Sequence, residues 1–240
     1  MRDNKRMSKK LRYALILDTE TTGFDPETDA LIELAVMLFD LKHAQAVESY
    51  ASLVWRDRNE AEHVNGIPVA MLKTAPYIED VWIPVRNMIQ RKGLAPQVVI
   101  AHNAEFDRQF TPELGLPWVC SEEDIRWPHR QARGGSLVQL ALSLGLGVAS
   151  AHRAMADVDT LARIFTRLAE QGHDLPKLIE HAMRPKALFY AVVSYQEKDA
   201  AKQHGFRWDP DKKEWWRRMA VDDAKALPFK VKRVKEISNG

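Results

Sequence analysis

Residues 13–23 read Tyr13-Ala14-Leu15-Ile16-Leu17-Asp18-Thr19-Glu20-Thr21-Thr22-Gly23. A short apolar run that ends on an acid has the pattern of a buried strand reaching the edge of a core. Alternate residues of a strand point to one side, so Asp18 and Glu20 converge on one point. Two carboxylates held together repel unless a cation neutralises them, and oxygen-only ligands suit Mg²⁺ or Mn²⁺. Thr21-Thr22-Gly23 follow as a polar turn able to approach a ligand. The acid-x-acid spacing alone is weak: 33 acids in 240 positions give about four or five such pairs by chance. The chain holds more, among them Asp25/Glu27, Glu105/Asp107, Asp157/Asp159 and Asp209/Asp211. The buried strand before Asp18 and the turn after Glu20 single out this pair.

Further along, residues 31–39 and 49–55 form a second and a third apolar run. Residues 69–88 have helical spacing, with breaks expected near Pro76 and Pro84. A further buried strand is expected over 97–101, then a helix from Ala104. Helical spacing returns over 136–144, 153–168 and 175–183. No internal repeat or low-complexity tract interrupts the pattern. Early strands followed by alternating helices and strands predict a mixed α/β layer fold.

Two more polar groups follow buried segments. His102-Asn103 ends the strand over 97–101, and the next helix carries Asp107. His152-Arg153-Ala154-Met155-Ala156-Asp157 opens the helix over 153–168. A histidine five positions before an acid is expected about once by chance. Here it occurs at His43/Glu48, His102/Asp107, His152/Asp157 and His204/Asp209, so this spacing is also weak by itself. The plain alternatives are a strand-ending Asp18, a solvated helix acid at Asp107 and a helix-start histidine at 152. Glu105 and Asp159 are assigned to exposed faces.

Composition narrows the class. Hydrophobic residues make up 45% and charged residues 28% of the 240-residue chain, as in ordinary globular proteins. Cys120 is the only cysteine, which excludes an intrachain disulfide and a multi-cysteine zinc site and suits a reducing compartment. It is read as a buried apolar residue. No apolar run approaches the ~20 residues of a membrane helix. Residues 1–12 are basic but lead into no long apolar stretch, so no signal peptide and a cytoplasmic location are expected. The net charge of +2 hides an uneven distribution: +5 over residues 1–12, −9 over 13–182 and +6 over 183–240. The plain account is ordinary solvated surface; the sharper one is a carboxylate-built metal site flanked by segments that attract phosphate.

It is the ordered set of motifs that is specific. Asp-x-Glu-Thr-Thr-Gly (18–23), Ala-His-Asn-Ala-x-Phe-Asp (101–107) and His-x-Ala-x-x-Asp (152–157) together resemble the DEDDh family of 3′→5′ exonucleases, across about residues 13–170. Leu31-Ile32-Glu33-Leu34-Ala35 resembles the family's second strand, and Asn65-Gly66-Ile67 with Pro76 resembles its His/Asn-Gly-Ile segment. Asn65 stands where many members have His.

The resemblance implies a ribonuclease H-like mixed sheet flanked by helices. It implies that Asp18, Glu20, Asp107 and Asp157 hold two divalent cations, Mg²⁺ or Mn²⁺. Two metals ~4 Å apart stabilise both the attacking and the leaving oxygen at phosphorus. His152 is implied as the general base, and a histidine titrates in the right range for that task. Thr21, Thr22, Gly23 and Phe24 are implied beside the terminal nucleotide, with Asn65, His102 and Asn103 bordering the same cleft. The implied substrate is a nucleic acid with a 3′ end, DNA first, cut to 5′-mononucleotides. An exoribonuclease remains an alternative, as does a noncatalytic or proofreading subunit bound to a polymerase.

Beyond Arg184-Pro185-Lys186 the composition changes. Residues 188–195 are strand-like and 197–204 helix-like, with Gly205 as a stop. Segments 206–208 and 214–217 flank a turn-rich stretch, 209–213. This part resembles a small domain appended to some plasmid primases and DNA-processing proteins. Strand alternation turns Trp215 and Trp216 to opposite sides, so one is expected to be exposed. Trp216 with Lys212, Lys213, Arg217 and Arg218 is the expected nucleic-acid contact. The plain alternative is a tryptophan core solvated by basic residues. The expected organisation is a basic tail (1–12), an exonuclease domain (13–182) and a small basic α+β module (186–240).

Overall fold

A computed structural model describes residues 10–128, 136–148 and 152–234. The opening run forms β1 (Tyr13–Thr21), followed by β2 (Leu31–Asp40) and β3 (Gln45–Leu53). Short helices α1 (Glu62–Asn65) and α2 (Val69–Leu72) lead into α3 (Ile78–Gln90), and then come β4 (Val99–Ala101), α4 (Ala104–Gln109) and β5 (Trp118–Cys120). Helices α5 (Leu137–Ser143), α6 (Ala154–Glu170) and α7 (Leu175–Ala182) complete the first unit. Among the described residues its five strands run in the order β3-β2-β1-β4-β5. β1 pairs antiparallel with β2 and parallel with β4, so the sheet is mixed.

Strand alternation divides the core in two. Ala14 and Ile16 of β1 pack with Leu161 and Phe165 of α6. Leu15 and Leu17 pack on the other face with Val81, Trp82, Val85 and Met88 of α3. β2 is buried along its whole length because both faces are covered. The same alternation sends Asp18 and Glu20 toward the α6 side.

Three expectations need correction here. Pro84 lies inside α3 and does not break it. The missing N–H costs one hydrogen bond, but Val81, Trp82, Val85 and Met88 anchor the helix on both sides of the ring. The third strand begins at Gln45, earlier than its apolar part, and is mostly exposed. It is an edge strand held by pairing with β2, which an apolar run does not report. In the C-terminal part the strand expected over 188–195 is β6 (Lys186–Ala191). Ser194 and Glu197 form a capping box that starts a helical turn at Tyr195.

The second unit continues with α8 (Lys198–Gln203), β7 (Arg207–Asp209), β8 (Glu214–Ala220), α9 (Val221–Lys225) and β9 (Val231–Arg233). Its strands form a separate four-stranded sheet in the order β7-β8-β6-β9. The small core contains Phe189, Phe206 and Met219, with Trp215 packed against it. Ion pairs tie the two units together: Lys186–Asp124 at 2.6 Å, Arg126–Asp223 at 2.6 Å and Arg184–Asp223 at 2.8 Å. Among the described residues no helix is long and apolar enough to cross a membrane. Residues 1–9 of the expected basic tail lie outside the described residues.

Candidate metal centre

The end of β1 and the start of α6 meet at a group of carboxylates. One oxygen each from Asp18, Glu20 and Asp157 lie within 4.8 Å of one another. Asp107 reaches β1 from α4. Its Oδ1 accepts from the Thr19 backbone N–H at 3.1 Å and from the Thr19 hydroxyl at 2.9 Å. Asp107 is only 2% exposed. α4 starts from Asn103, whose φ is +66°, a left-handed conformation that Asn tolerates better than most residues.

The start of α6 is held from β2. Buried Glu33 accepts from Arg153 Nε at 3.0 Å, from Arg153 Nη2 at 2.8 Å and from the Ala154 N–H at 3.0 Å. The last bond satisfies a free donor of the first helical turn. Exposed His152 has a φ of +61°, and its N–H donates to Asp157 Oδ2 at 3.2 Å. Asp157 sits in the first turn of α6, where the helix dipole favours a negative charge.

The electrostatics report uncompensated negative charge. Burial pushes the Asp18 carboxyl well above its usual range, and the charges of Asp107, Asp157, Glu20 and Glu33 add to this. Glu20 is pushed up to about 7, by burial first and then by Asp157, Glu33 and Asp107, against the opposing charge of Arg153. Burial also raises Asp107, outweighing the Thr19 hydrogen bonds, and it raises Asp157. Arg153, the nearby cation, is committed to Glu33. An all-oxygen cluster with unneutralised charge fits a hard divalent cation.

The other expected site residues divide into two groups. Phe24 is 84% exposed and meets Phe106 edge-on at 6.1 Å between centroids. Asn103 is exposed, and half-buried His102 has Nδ1 2.9 Å from Ser121 Oγ. Thr21, Thr22 and Asn65 are buried and engaged inside the fold. The Thr22 hydroxyl donates to Asp29 and accepts from the Ala30 N–H, both at 3.0 Å. The Thr22 N–H donates to Ala30 O at 2.9 Å. The Thr21 hydroxyl donates to Gly23 O at 2.5 Å. Asn65 donates to Thr21 O at 3.3 Å and accepts from Ile67 N at 3.0 Å. These polar groups build the turn. A Cβ at Gly23 would lie 2.3 Å from Asp29 Oδ2, so the glycine answers to a close approach within that turn.

Glu105 and Asp159 are exposed, as expected. In the C-terminal unit neither Trp215 nor Trp216 is exposed; both are half-buried. The exposed tryptophan is Trp208, at 47%, which packs on Trp215 at 5.5 Å. Arg217 is buried and donates to the His204 carbonyl, so its charge is not presented to solvent. Lys212, Lys213 and Arg218 are exposed. Sequence reasoning missed the Glu33–Arg153 pair and the role of Thr19. The available signal was an acid inside an unbroken apolar strand, since such an acid needs a partner.

The Exonuclease family profile matches residues 15–114. The profile "Domain of unknown function (DUF8626)" matches residues 187–234. DNA polymerase III subunit epsilon of Treponema pallidum is 30% identical over 186 residues, covering 70% of this chain and 82% of that protein. The chain belongs to the DEDDh exonuclease family. This DEDDh member is also 29% identical over 167 residues to the PolC-type DNA polymerase III of Thermotoga petrophila, but spans only 12% of that protein's length. It is 33% identical over 118 residues to exodeoxyribonuclease 10 of Escherichia coli K12, covering 47% of this chain and 48% of the relative. Among solved structures, exonuclease X in complex with 5′ overhanging duplex DNA is 26% identical with a TM-score of 0.54, covering 70% of this chain and 99% of that one. The nuclease domain of 3′hExo, bound to rAMP, shares the fold at a TM-score of 0.56 and 19% identity, covering 70% of this chain and 96% of that one.

Proposed function

We propose that this DEDDh member is a metal-dependent 3′→5′ exonuclease that shortens DNA from its 3′ end and releases 5′-mononucleotides. The observation that carries the reading is the convergence of Asp18, Glu20 and Asp157 within 4.8 Å at the end of β1. Asp18, Glu20, Asp107 and Asp157 would hold two Mg²⁺ or Mn²⁺ ions, which when bound supply charge neutralisation for the attacking and leaving oxygens. His152 stands exposed at the rim beside Asp157, where its imidazole takes the proton from the attacking water. Water adds to phosphorus, the bond from phosphorus to the 3′ oxygen of the preceding nucleotide breaks, and that oxygen leaves as a new 3′ hydroxyl. Exposed Phe24, braced by Phe106, supports the terminal base or sugar.

DNA as the substrate is supported by the likeness to exodeoxyribonuclease 10 and to exonuclease X solved with DNA. A 3′→5′ exoribonuclease is the second reading, favoured by 27% identity over 120 residues to ribonuclease T of Buchnera aphidicola. Action beside a polymerase is supported by the epsilon-subunit and PolC-type relatives. The single cysteine fits a cytoplasmic setting.

The test is degradation of matched 5′-labelled DNA and RNA single strands with Mg²⁺, with EDTA and with Asp18→Ala. Stepwise shortening from the 3′ end is expected, with a loss of more than about a hundredfold in D18A. The faster polymer names the substrate. No shortening of either polymer in Mg²⁺ or Mn²⁺ overturns the reading.

A further inference from the structure

A groove of about 590 Å³ runs between the two units. One wall carries Asn103 and Arg108 from the α4 segment, and Trp118 of β5. The other carries Arg207 of β7 with Trp216 and Arg218 of β8. Six basic residues line it against three acidic ones. Two of those acids are neutralised locally, Asp124 by Lys186 and Glu123 by Arg207. Arg218 is exposed, and its guanidinium has no hydrogen-bond or ion-pair partner among the described residues. Arg184 is likewise held by Asp223, Arg108 lies 3.7 Å from Glu113, and Arg217 is buried, so among the described residues Arg218 is the uncommitted cation of the lining. Trp216 contributes a half-buried aromatic surface between Arg207 and Arg218, since Arg207 is its cross-strand partner.

The groove and the metal centre share α4. Asn103, in its lining, precedes the helix that carries Asp107, and Arg108 follows Asp107 on that helix. A strand bound with its 3′ terminus at the carboxylates would reach this groove by passing α4. We propose that the groove binds the single-stranded polynucleotide upstream of the 3′ end, with Trp216 stacking one base and Arg218 and Arg108 meeting phosphates. A cationic channel with an aromatic platform is the arrangement that holds single strands without reading their sequence. A duplex keeps its bases stacked inside and offers no free base face to Trp216. The assignment rests on the exonuclease reading for the placement of the 3′ end. It gives the C-terminal unit a task, extending substrate contact beyond the terminal nucleotides.

The test uses the full chain in EDTA, with 5′-labelled single strands of about twelve nucleotides, within the site sizes such grooves cover. Anisotropy gives the affinity. Arg218→Glu is expected to weaken binding about tenfold and to flatten the salt dependence by about one phosphate contact. Trp216→Leu is expected to weaken binding by at least about fivefold. Lys225→Glu, an equal charge change on exposed α9 outside the groove lining, is expected to stay within about twofold. In Mg²⁺, the ratio of kcat/KM on the long strand to that on a dinucleotide falls in R218E. Wild-type affinity in both R218E and W216L refutes the groove even if D18A-sensitive hydrolysis is seen. Tighter, R218E-sensitive binding of a blunt duplex refutes the single-strand assignment. Weakened binding in R218E and W216L, with no hydrolysis by the wild type in Mg²⁺ or Mn²⁺, keeps the groove and removes the exonuclease reading.

Discussion

Glu20 shows how a single side chain carries the electrostatics of the whole site. Its carboxyl rises from 4.5 to about 7 because it is buried among other acids. A group whose folded pKa lies above its unfolded pKa has no effect on stability below the lower value. Above the higher value it destabilises fully, here by on the order of 1–3 kcal/mol. The metal-free fold is therefore expected to lose stability as pH rises from about 4.5 to about 7. A bound cation offsets that loss. The increase in Tm on adding Mg²⁺ or Mn²⁺ should be larger at about pH 8 than at about pH 5.5. Calorimetry at the two pH values checks this, and equal increases would contradict it. Thr19 and Thr22 carry a complementary lesson. Residues within one motif differ in task because Thr19 braces Asp107 while Thr22 closes the turn onto Asp29 and Ala30.

At the scale of elements, α6 and α3 are the informative helices. The first turn of α6 presents Asp157, with His152 just before it, and its approach to the sheet is set by Glu33 gripping Arg153 and the Ala154 N–H. Glu33→Gln keeps the shape but removes the charge that holds Arg153. The expected result is a fall in kcat of about ten- to a hundredfold, with a stability loss of about 1–3 kcal/mol because Arg153 is partly exposed. Chemical denaturation and single-turnover rates separate the two effects. Activity equal to wild type would show that the α6 start is held adequately without the pair. In α3, Pro84→Ala restores a helical N–H where the flanking apolar contacts already maintain the helix. A gain of about 1 kcal/mol is expected, measured by urea unfolding. A loss would show that the proline ring packs better than a methyl group.

For the whole molecule, the junction between the units depends on few residues. Asp223 takes both Arg126 and Arg184. Burial alone would raise its carboxyl, but these two guanidiniums outweigh burial and hold it below its usual value. With a depressed folded pKa, its stabilising effect is present above the unfolded value and disappears as pH falls through the folded one. Asp223→Ala is expected to weaken the junction by about 1–2 kcal/mol. Faster limited proteolysis near residues 183–186 would report this, and unchanged cleavage would show that Lys186–Asp124 and the other contacts suffice. Because the groove lies at this junction, D223A also connects the stability of the assembly to nucleic-acid binding.

The periodic part of this architecture was legible before any coordinate. An apolar strand ending in alternate acids, a helix starting at Ala104 and a long amphipathic helix near residue 154 are local patterns, and the local backbone obeys them. The ordered motifs also pointed to the DEDDh family, because three separate segments had to agree. Other features depend on partners far along the chain. β3 exists by pairing with β2, despite its polar first half. Asn65 is buried under Thr21, 44 residues away in sequence. Glu33 meets Arg153 across 120 residues. Trp216 borders a groove only because a second sheet stands opposite α4. Hydrophobic periodicity and turn chemistry act over a few residues, so the sequence by itself determined the elements and the residue types at their ends. Burial, charge pairing and the enclosure of space arise only when distant segments meet, so the tertiary structure alone decided which polar groups stay exposed and which are used within the fold.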